Sequence, residues 1–334
     1  MKISICTPCF NEEENLEKYF DGILNLDYPL ENLEFIIIDD HSTDRSFELL
    51  KEFEEKNQNL QIKIFQNKIN SGHLFTRGRC VEEAKYDNIL FIDSHSIIHK
   101  NALLELEKLI DSTGCPVVIG HPVTEDKSLV QRFFTTIRMK IYGEKNISGK
   151  FKDTLLTKKN FNILPKGMSP FFIKKSIYLN AVPKNLGRHE SDDTKLIYNI
   201  FSLNEKIIRT SKVKVTYIAR TNIFKEIPHI YKRGPKFVDF YFRKGSKYYP
   251  LFLLLLFLTF AAPVIIILLS VYIGLINFLL GFSTLLFLLN LSISLWFSRK
   301  PQNIFTVFIL LPIIASSFIM GIYKGFLLKL FSKK

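Results

Sequence analysis

The chain has 334 residues, of which 47% are hydrophobic, and it carries a formal net charge of +13. That length allows one large domain or two medium ones, with an ample hydrophobic core. Every Asp and Glu lies at or before Asp239, and nine Lys and Arg follow it, which leaves a net charge of +4 for the first 239 residues. Because the basic excess belongs to the C-terminal part of the chain, we expect no nucleic-acid partner.

Short apolar runs alternate with amphipathic stretches in the first 120 residues. The runs predict strands over residues 2–8, 33–40, 61–67 and 88–95. The stretches predict helices over residues 12–26, 42–57 and 73–86. The inner face of the first helix is predicted to consist of Leu16, Phe20, Ile23 and Leu24. Strands that alternate with helices favour an α/β fold with a mostly parallel sheet.

Polar residues follow three of the four predicted strands, in the segments TPCFN, DDHSTD and DSH. Ligands of parallel sheets bind beyond the carboxyl ends of the strands, so the sequence predicts one site at this edge. Ser42 and Thr43, in the second segment, are predicted caps of the following helix.

A basic amphipathic helix is predicted over residues 128–142 (SLVQRFFTTIRMKIY). Leu129, Phe133, Ile137 and Ile141 follow one another at intervals of four and form its predicted apolar face. Such a helix either lies in a membrane interface or packs on its own domain, and the sequence leaves both possibilities open.

The C-terminal region has the composition of membrane-spanning segments. No residue between Tyr248 and Ser298 is charged, and apolar runs at about 250–272, 274–297 and 304–323 are each long enough to cross a bilayer. Basic residues precede the first run and separate the second from the third, so the positive-inside rule predicts an integral membrane protein with a cytoplasmic N-terminal domain. Three crossings would place the final lysines outside, against that rule. A re-entrant third segment, with Pro312 at its middle, is the alternative.

Five motifs together resemble the nucleotide-sugar-dependent inverting glycosyltransferases of family 2. They are SICTPCFNEEENL, FIIIDDHSTDRS, NSGHLFTRGR, FIDSH and SDDTKL, and they span residues 1 to about 200 in the family's order. The resemblance implies a GT-A fold, a Rossmann-like α/β domain with a mostly parallel central sheet, followed by C-terminal transmembrane helices.

The resemblance and the composition together predict the domain boundaries. The catalytic domain covers residues 1–225, with a nucleotide-sugar-binding half (1–120) and an acceptor half (121–225). A basic juxtamembrane segment (226–249), a transmembrane region (250–324) and a basic tail (325–334) follow.

The resemblance also implies the residues that bind the nucleotide sugar. Thr7 and Phe10 would contact the base by backbone bonding and stacking, Asp39 and Asp40 would read the nucleoside, and Arg77 would face the diphosphate. Asp40 and Asp44 could instead cap the next helix. The full implied set is Thr7, Pro8, Phe10, Asn11, Glu12, Asp39, Asp40, Gly72, Arg77 and Asp93.

Asp93 and His95 occupy the place of the family's D-x-D metal motif. The family usually has a second Asp where this chain has His95. A carboxylate oxygen suits Mg²⁺ or Mn²⁺, and imidazole suits Mn²⁺ better than Mg²⁺. We therefore expect a divalent metal cofactor, with Mn²⁺ favoured.

The SDDTKL motif implies the catalytic base. By its register the base is Asp193, with Asp192 as the second candidate. A carboxylate there could take the proton of an attacking hydroxyl. Alternatively, these acids only stabilise the N-terminus of the helix that follows.

The predicted function is transfer of a single sugar, with inversion, from a nucleotide-sugar donor to a hydroxyl of a lipid-linked saccharide in cell-envelope polysaccharide or glycolipid synthesis. The membrane lipids are further expected partners. The Q-x-x-R-W motif of processive members is absent, since the corresponding place reads IYKRGPKF. Two alternatives stay open, namely a sugar transferase that loads a polyprenyl phosphate and a catalytically degenerate membrane scaffold.

The segment CTPC has the spacing of a redox or metal-binding cysteine pair. Cys6 belongs to a predicted strand rather than to a helix N-terminus, and Cys80 and Cys115 are isolated in the sequence. We therefore interpret the C-x-x-C spacing as a coincidence, with Cys6 a small buried residue and Cys9 at a permissive position between Pro8 and Phe10.

Overall fold

A computed structural model describes residues 1–184, 191 and 193–331. They form two compact units. The first consists of described residues from 1–126, 141–188 and 192–219, and the second of described residues from 127–140, 189–191 and 220–334.

In the described part of the first unit, nine strands form one sheet. They are β1 (Ile3–Cys9), β2 (Leu33–Asp39), β3 (Ile62–Gln66), β4 (Asn88–Phe91), β5 (Ser96–Ile98), β6 (Val117–Thr124), β7 (Thr154–Leu156), β8 (Phe171–Lys174) and β9 (Ile207–Tyr217). The order is β3-β2-β1-β4-β8-β6-β9-β5, and β7 also pairs with β9. The first four strands are mutually parallel, β8 is antiparallel to both β4 and β6, and β6 is parallel to β9. The predicted parallel α/β sheet is therefore confirmed for the N-terminal half.

The residues that the structure describes also form twelve helices. They are α1 (Leu16–Leu24), α2 (Ser46–Lys56), α3 (His73–Glu83), α4 (Ala102–Thr113), α5 (Leu129–Tyr142), α6 (Glu144–Ile147), α7 (Lys175–Ala181), α8 (Asp193–Ser202), α9 (Ile223–Tyr241), α10 (Tyr249–Ile273), α11 (Leu275–Phe297) and α12 (Pro301–Phe331). Every residue of β1 and β2 is buried, which explains why these strands read as continuous apolar runs.

Several sequence-based details differ from the structure. Leu24 is 51% exposed, and the buried positions of α1 are Leu16, Tyr19, Gly22 and Ile23. Leu16 and Ile23 of the predicted inner face are therefore buried, whereas Leu24 was wrongly assigned to that face. The second helix begins at Ser46, whose backbone N–H donates to Asp44 at 3.0 Å, so Ser42 and Thr43 do not cap it.

The predicted apolar face of α5 is partly wrong. Leu129 and Ile141 are exposed, whereas Val130 and Phe133 are buried in a cluster with Ile230 of α9 and with residues of α12. The face was misplaced because a spacing of four drifts around a helix that has 3.6 residues per turn.

A close contact at Gly120 gives a prediction for stability. A Cβ at this position would overlap Cγ of Pro170 and lie 2.5 Å from the carbonyl oxygen of Val213. We expect Gly120→Ala to lower the free energy of unfolding by about 1–3 kcal/mol, because the packed strands must move apart. Gly78→Ala is the matched control, since no atom lies within 4 Å of its added Cβ and alanine favours the helix. Chemical denaturation in detergent compares the two, and equal effects would contradict this packing account.

Within the described part of the second unit, three helices are long and apolar enough to cross a membrane, namely α10, α11 and α12. Most side chains of α10 and α11 are exposed, as expected for helices that face lipid. The third apolar run, predicted over 304–323, lies within α12, which passes through Pro312 and continues to Phe331.

Candidate active site

Hydrogen bonds connect the polar residues that follow β1 with those that follow β2. The backbone N–H of Asn11 donates to Ser42 Oγ at 2.9 Å, and Asn11 Oδ1 accepts from the backbone N–H of Thr43 at 2.8 Å. Asp39 accepts from both the backbone and the hydroxyl of Ser42, and from Gln66 Nε2 at 3.0 Å. These bonds fix the shape of the edge at which β1 and β2 end.

Asp40 holds the segment that leads into α3. Its carboxylate accepts from the backbone N–H groups of Ser71 and Gly72, each at 2.8 Å, and from Asn67 Nδ2 at 2.7 Å. Gly72 has a φ of +92°, a conformation that favours glycine, and α3 begins at the next residue. Asp40 therefore positions the start of α3, while Asp44 accepts from the backbone N–H of Ser46, the first residue of α2.

The residues predicted to contact the base, in β1 and directly after it, differ in exposure. The Thr7 hydroxyl is buried and forms a 2.6 Å hydrogen bond with the Tyr19 hydroxyl. The carbonyl of Pro8 accepts from Ser94 Oγ at 3.2 Å. Phe10 is 43% exposed, so its ring is available for stacking.

Arg77 joins the predicted metal ligand Asp93 to the predicted base Asp193. Its Nη1 donates to Asp193 Oδ1 at 2.7 Å, and its Nη2 donates to Asp93 Oδ1 at 3.2 Å. The guanidinium is buried and lies 5.5 Å from the ring centroid of Phe91. One buried cation therefore brings together residues that are 100 positions apart in the sequence.

Asp93 follows β4, which ends at Phe91, so Asp93 lies in the turn and not in the strand. Burial by itself would raise its pKa, but the interaction with His73 and the charge of Arg77 outweigh burial and hold the pKa well below its usual range. His73 Nε2 lies 3.5 Å from Asp93 Oδ1. The carboxylate is thus kept ionised and available to a cation.

Sequence reasoning missed His73. It occupies the first turn of α3, and Arg77 lies four residues later on the same helical face. Both side chains reach the same oxygen of Asp93. The i, i+4 spacing from the predicted Arg77 was the signal that could have identified it.

His95 contacts a carboxylate of the first motif. Its Nδ1 lies 2.9 Å from Glu12 Oε1, and its ring packs edge-to-face against Tyr217. Among the residues that the structure describes, no three His, Cys, Asp or Glu side chains form a group that could hold a metal. The donor types nevertheless fit a divalent ion, since a carboxylate on one imidazole nitrogen is the usual support of a metal-binding histidine.

Asp193 is the first residue of α8, and its side chain is partly exposed. Its carboxylate is therefore held by Arg77 on one side and remains accessible to solvent. The second candidate base, Asp192, lies outside the described residues.

Part of the chain is similar in sequence to known proteins. Residues 4–177, more than half of the chain, match the family model described as glycosyl transferase family 2. The chain is 36% identical over 121 residues to a poly(ribitol-phosphate) beta-glucosyltransferase of Bacillus spizizenii, which covers 36% of this chain and 19% of that protein. It is also 36% identical over 95 residues to a dolichyl N-acetyl-alpha-D-glucosaminyl phosphate 3-beta-D-2,3-diacetamido-2,3-dideoxy-beta-D-glucuronosyltransferase of Methanococcus voltae, covering 28% of this chain and 29% of that one. The alignments thus span less than a third of these relatives' lengths.

Two solved structures have a similar fold. The mannosyltransferase PcManGT of Pyrobaculum calidifontis, in complex with GDP-Man and Mn²⁺, has a TM-score of 0.60 at 15% identity, covering 100% of this chain and 88% of that one. TarS of S. aureus has a TM-score of 0.52 at 18% identity, covering 74% and 46%. These likenesses confirm the predicted GT-A fold.

Proposed function

The chain belongs to the family 2 glycosyltransferases, and on this premise we propose that it transfers a single sugar, with inversion, from a nucleotide-sugar donor to a hydroxyl of a lipid-linked saccharide. We further propose that this occurs at the cytoplasmic face of the membrane, in cell-envelope polysaccharide or glycolipid synthesis. The family, the apolar helices and the site support this proposal.

The observation that carries the proposal is the Arg77 bridge between Asp93 and Asp193. A sugar transferase must hold a departing diphosphate and an attacking hydroxyl close to one anomeric carbon. Asp93 is proposed to face the metal-bound diphosphate, and Asp193 is an accessible carboxylate that bonds to the same guanidinium. Arg77 therefore holds the carboxylate proposed for the donor, Asp93, and the carboxylate proposed for the acceptor, Asp193, close to each other.

In the proposed reaction, the acceptor oxygen attacks the anomeric carbon from the face opposite the diphosphate. The bond between that carbon and the acceptor oxygen forms as the bond to the phosphate oxygen breaks, and the hydroxyl proton passes to the carboxylate of Asp193. The nucleoside diphosphate leaves with the bonding electron pair. Arg77 offers its charge to the phosphate oxygens, for which its planar fork of donors is suited.

Asp93 and His95 are the proposed metal ligands, with Glu12 orienting the imidazole through the 2.9 Å contact with Nδ1. When bound, Mn²⁺ or Mg²⁺ would neutralise charge that develops on the leaving diphosphate. Thr7, Pro8, Phe10, Asn11 and Asp39 are proposed to line the nucleoside site. Asp40 and Gly72 are proposed to act through the shape of the segment before α3.

Calorimetric titration tests the donor site. We expect one of UDP-, GDP- or dTDP-sugars to bind the full chain in the presence of Mn²⁺, and to bind at least tenfold more weakly without it. His95→Ala is expected to weaken the Mn²⁺-dependent binding by about 10–100-fold, as losses at metal sites commonly do. His99→Ala is the matched control, because His99 bonds to Thr216 and is not among the proposed site residues. Binding of no nucleotide sugar under either condition would favour the degenerate scaffold.

A further inference from the structure

The helices α10 and α11 are joined at Gly274. Only Phe252 is buried in α10, and only Phe278 and Ser294 are buried in α11, among the residues that the structure describes. Two helices packed along their full lengths would bury a continuous stripe of side chains. The described residues of the pair therefore form no continuous packed seam, and its open ends are the start of α10 and the end of α11, both far from Gly274 along the chain.

The first half of α12 contacts α11 near the open end. Asn290 Nδ2 donates to the carbonyl of Phe308 at 2.8 Å, and the rings of Phe287 and Phe308 lie 5.3 Å apart. Both contacts fall in the half of α11 that is farther from Gly274.

The second half of α12 contacts the other open end, that of α10. The hydroxyls of Thr259 and Tyr323 are 2.7 Å apart, and the rings of Phe252 and Phe326 are 5.7 Å apart. Lys329 Nζ donates at 2.9 Å to the carbonyl of Phe242, which precedes α10. The end of α12 therefore lies beside the start of α10 and far from Gly274.

Helix lengths show what these contacts mean. At a rise of about 1.5 Å per residue, Phe308 and Tyr323 are about 22 Å apart along α12, and Thr259 is about 21 Å from the end of α10. A third crossing antiparallel to α11 would bring the end of α12 to the level of Gly274. The observed contacts instead show that α12 extends from the end of α11 to the start of α10.

The two faces of α12 fit this position. Phe305, Ile309, Ile313, Met320 and Leu327 are exposed, and their spacings of four and seven residues place them on one helical face. The buried positions lie on the other side of the helix: Thr306, Val307, Leu310, Ile314, Ser317, Gly321, Ile322, Gly325 and Phe326.

The buried side of α12 packs against α9 along most of its length. A Cβ on Gly234 would overlap the backbone of Gly321, and Ser317 Oγ donates to the carbonyl of Ile227 at 2.9 Å. Small residues thus allow the two backbones to approach closely, as in other tightly packed helix pairs. Because α9 covers this side, α12 does not need the polar face that in-plane helices usually present to water.

We propose that α12 does not cross the membrane. It lies in the plane of the bilayer surface, with its exposed apolar face toward the acyl chains and α9 stacked on its opposite side. Only α10 and α11 cross, so Lys324 and Lys329 are on the same side as the basic residues that precede α10 and as Arg299 and Lys300. Every basic flank then obeys the positive-inside rule, which three crossings would violate at the C-terminus.

Labelling of sealed vesicles with a membrane-impermeant maleimide tests this topology on the full chain. The native thiols of Cys6, Cys9, Cys80 and Cys115 are free and buried, and burial raises the pKa of the Cys6 and Cys9 thiols, so introduced cysteines are the reactive ones. Lys300→Cys marks the side of the membrane on which α11 ends, and Tyr272→Cys marks the opposite side, near Gly274. Asn277→Cys replaces Tyr272→Cys if that variant does not fold.

A peptide tag at the C-terminus gives the decisive result. Protease is added to the same sealed vesicles, and cleavage of the tag shows which side of the membrane it is on. We expect the tag to be cleaved from the side that labels Lys300→Cys. Cleavage from the side that labels Tyr272→Cys would establish a third crossing and overturn the proposal.

The depth of α12 gives a second, independent measurement. Environment-sensitive probes on Phe305→Cys, Ile313→Cys and Met320→Cys are expected to be quenched most by lipids with a nitroxide near the headgroup. Leu286→Cys, at the middle of α11, is the matched control and should be quenched most by a nitroxide near the acyl-chain end. Deep quenching of Ile313→Cys together with shallow quenching at Phe305→Cys would overturn the in-plane position.

Discussion

Replacing Asp193 by asparagine is expected to lower kcat for sugar transfer to a hydroxyl by about 10²–10⁴-fold, the range that a general base contributes. The amide keeps the size of the carboxylate and can still accept from Arg77 Nη1, but it cannot take up the acceptor proton. The KM for the nucleotide sugar should change little, because Asp193 acts on the acceptor. Steady-state kinetics with a fixed acceptor measures both constants.

Asp111→Asn is the matched control for this substitution. Asp111 is an exposed carboxylate on α4, and we expect its replacement to leave kcat unchanged. If Asp193→Asn retains full activity, Asp193 is not the base. Retained activity with a polyprenyl phosphate acceptor would identify the enzyme as a polyprenyl-phosphate sugar transferase, since that acceptor is already ionised.

Replacing Arg77 by glutamine is expected to affect both stability and donor binding. Removing one partner of a buried ion pair commonly costs 3–5 kcal/mol, and we expect about 3 kcal/mol here because Asp193 is partly exposed to solvent. Affinity for the nucleoside diphosphate should also fall, by at least tenfold, because the guanidinium is a proposed phosphate ligand. Chemical denaturation and calorimetry measure the two effects separately.

Arg79→Gln is the control for Arg77→Gln. Arg79 lies on the same helix, and its Nη1 donates to Asn67 Oδ1 at 2.8 Å rather than to a carboxylate of the site. A loss of stability without any loss of diphosphate affinity would show that Arg77 is structural. Arg77→Lys should retain part of both properties, because lysine keeps the charge but not the bidentate geometry.

Much of the first unit could be predicted because its signals are local. The strands β1 and β2 are buried on both faces, so they appear in the sequence as unbroken apolar runs, and their polar ends mark one edge of the sheet. The motif residues Asn11 and Asp39 lie at that edge and contact the same segment through Ser42 and Thr43. Parallel-sheet geometry was sufficient to bring them together.

The contacts that define the site could not be predicted in the same way. The family resemblance assigned Arg77 to the diphosphate, but the sequence contains no sign that the same guanidinium bonds both Asp93 and Asp193. Asp40 was expected near the nucleoside, and its three bonds to the segment before α3 depend on tertiary packing. Long-range pairing of polar groups has no periodicity that a sequence pattern could reveal.

The membrane region shows the same difference. Hydropathy predicts three apolar helices, and the structure contains them. Hydropathy does not distinguish a helix that spans the membrane from an in-plane helix that has no polar face. The helix α12 needs no polar face because α9 covers the side opposite to its exposed apolar residues. The glycine pair Gly234 and Gly321, which permits that packing, lies nearly 90 residues apart in the chain.

The chemical linkage in the product tests the proposed function most directly. The full chain, in membranes, would be incubated with its nucleotide sugar, Mn²⁺ and a lipid-linked saccharide, and the purified product analysed by mass spectrometry and NMR. We predict one added sugar, joined through a glycosidic bond to a hydroxyl of the saccharide, with the anomeric configuration opposite to that of the donor. A sugar attached to a phosphate oxygen, or a product with retained configuration, would contradict the assignment of Asp193 as the base of an inverting transfer.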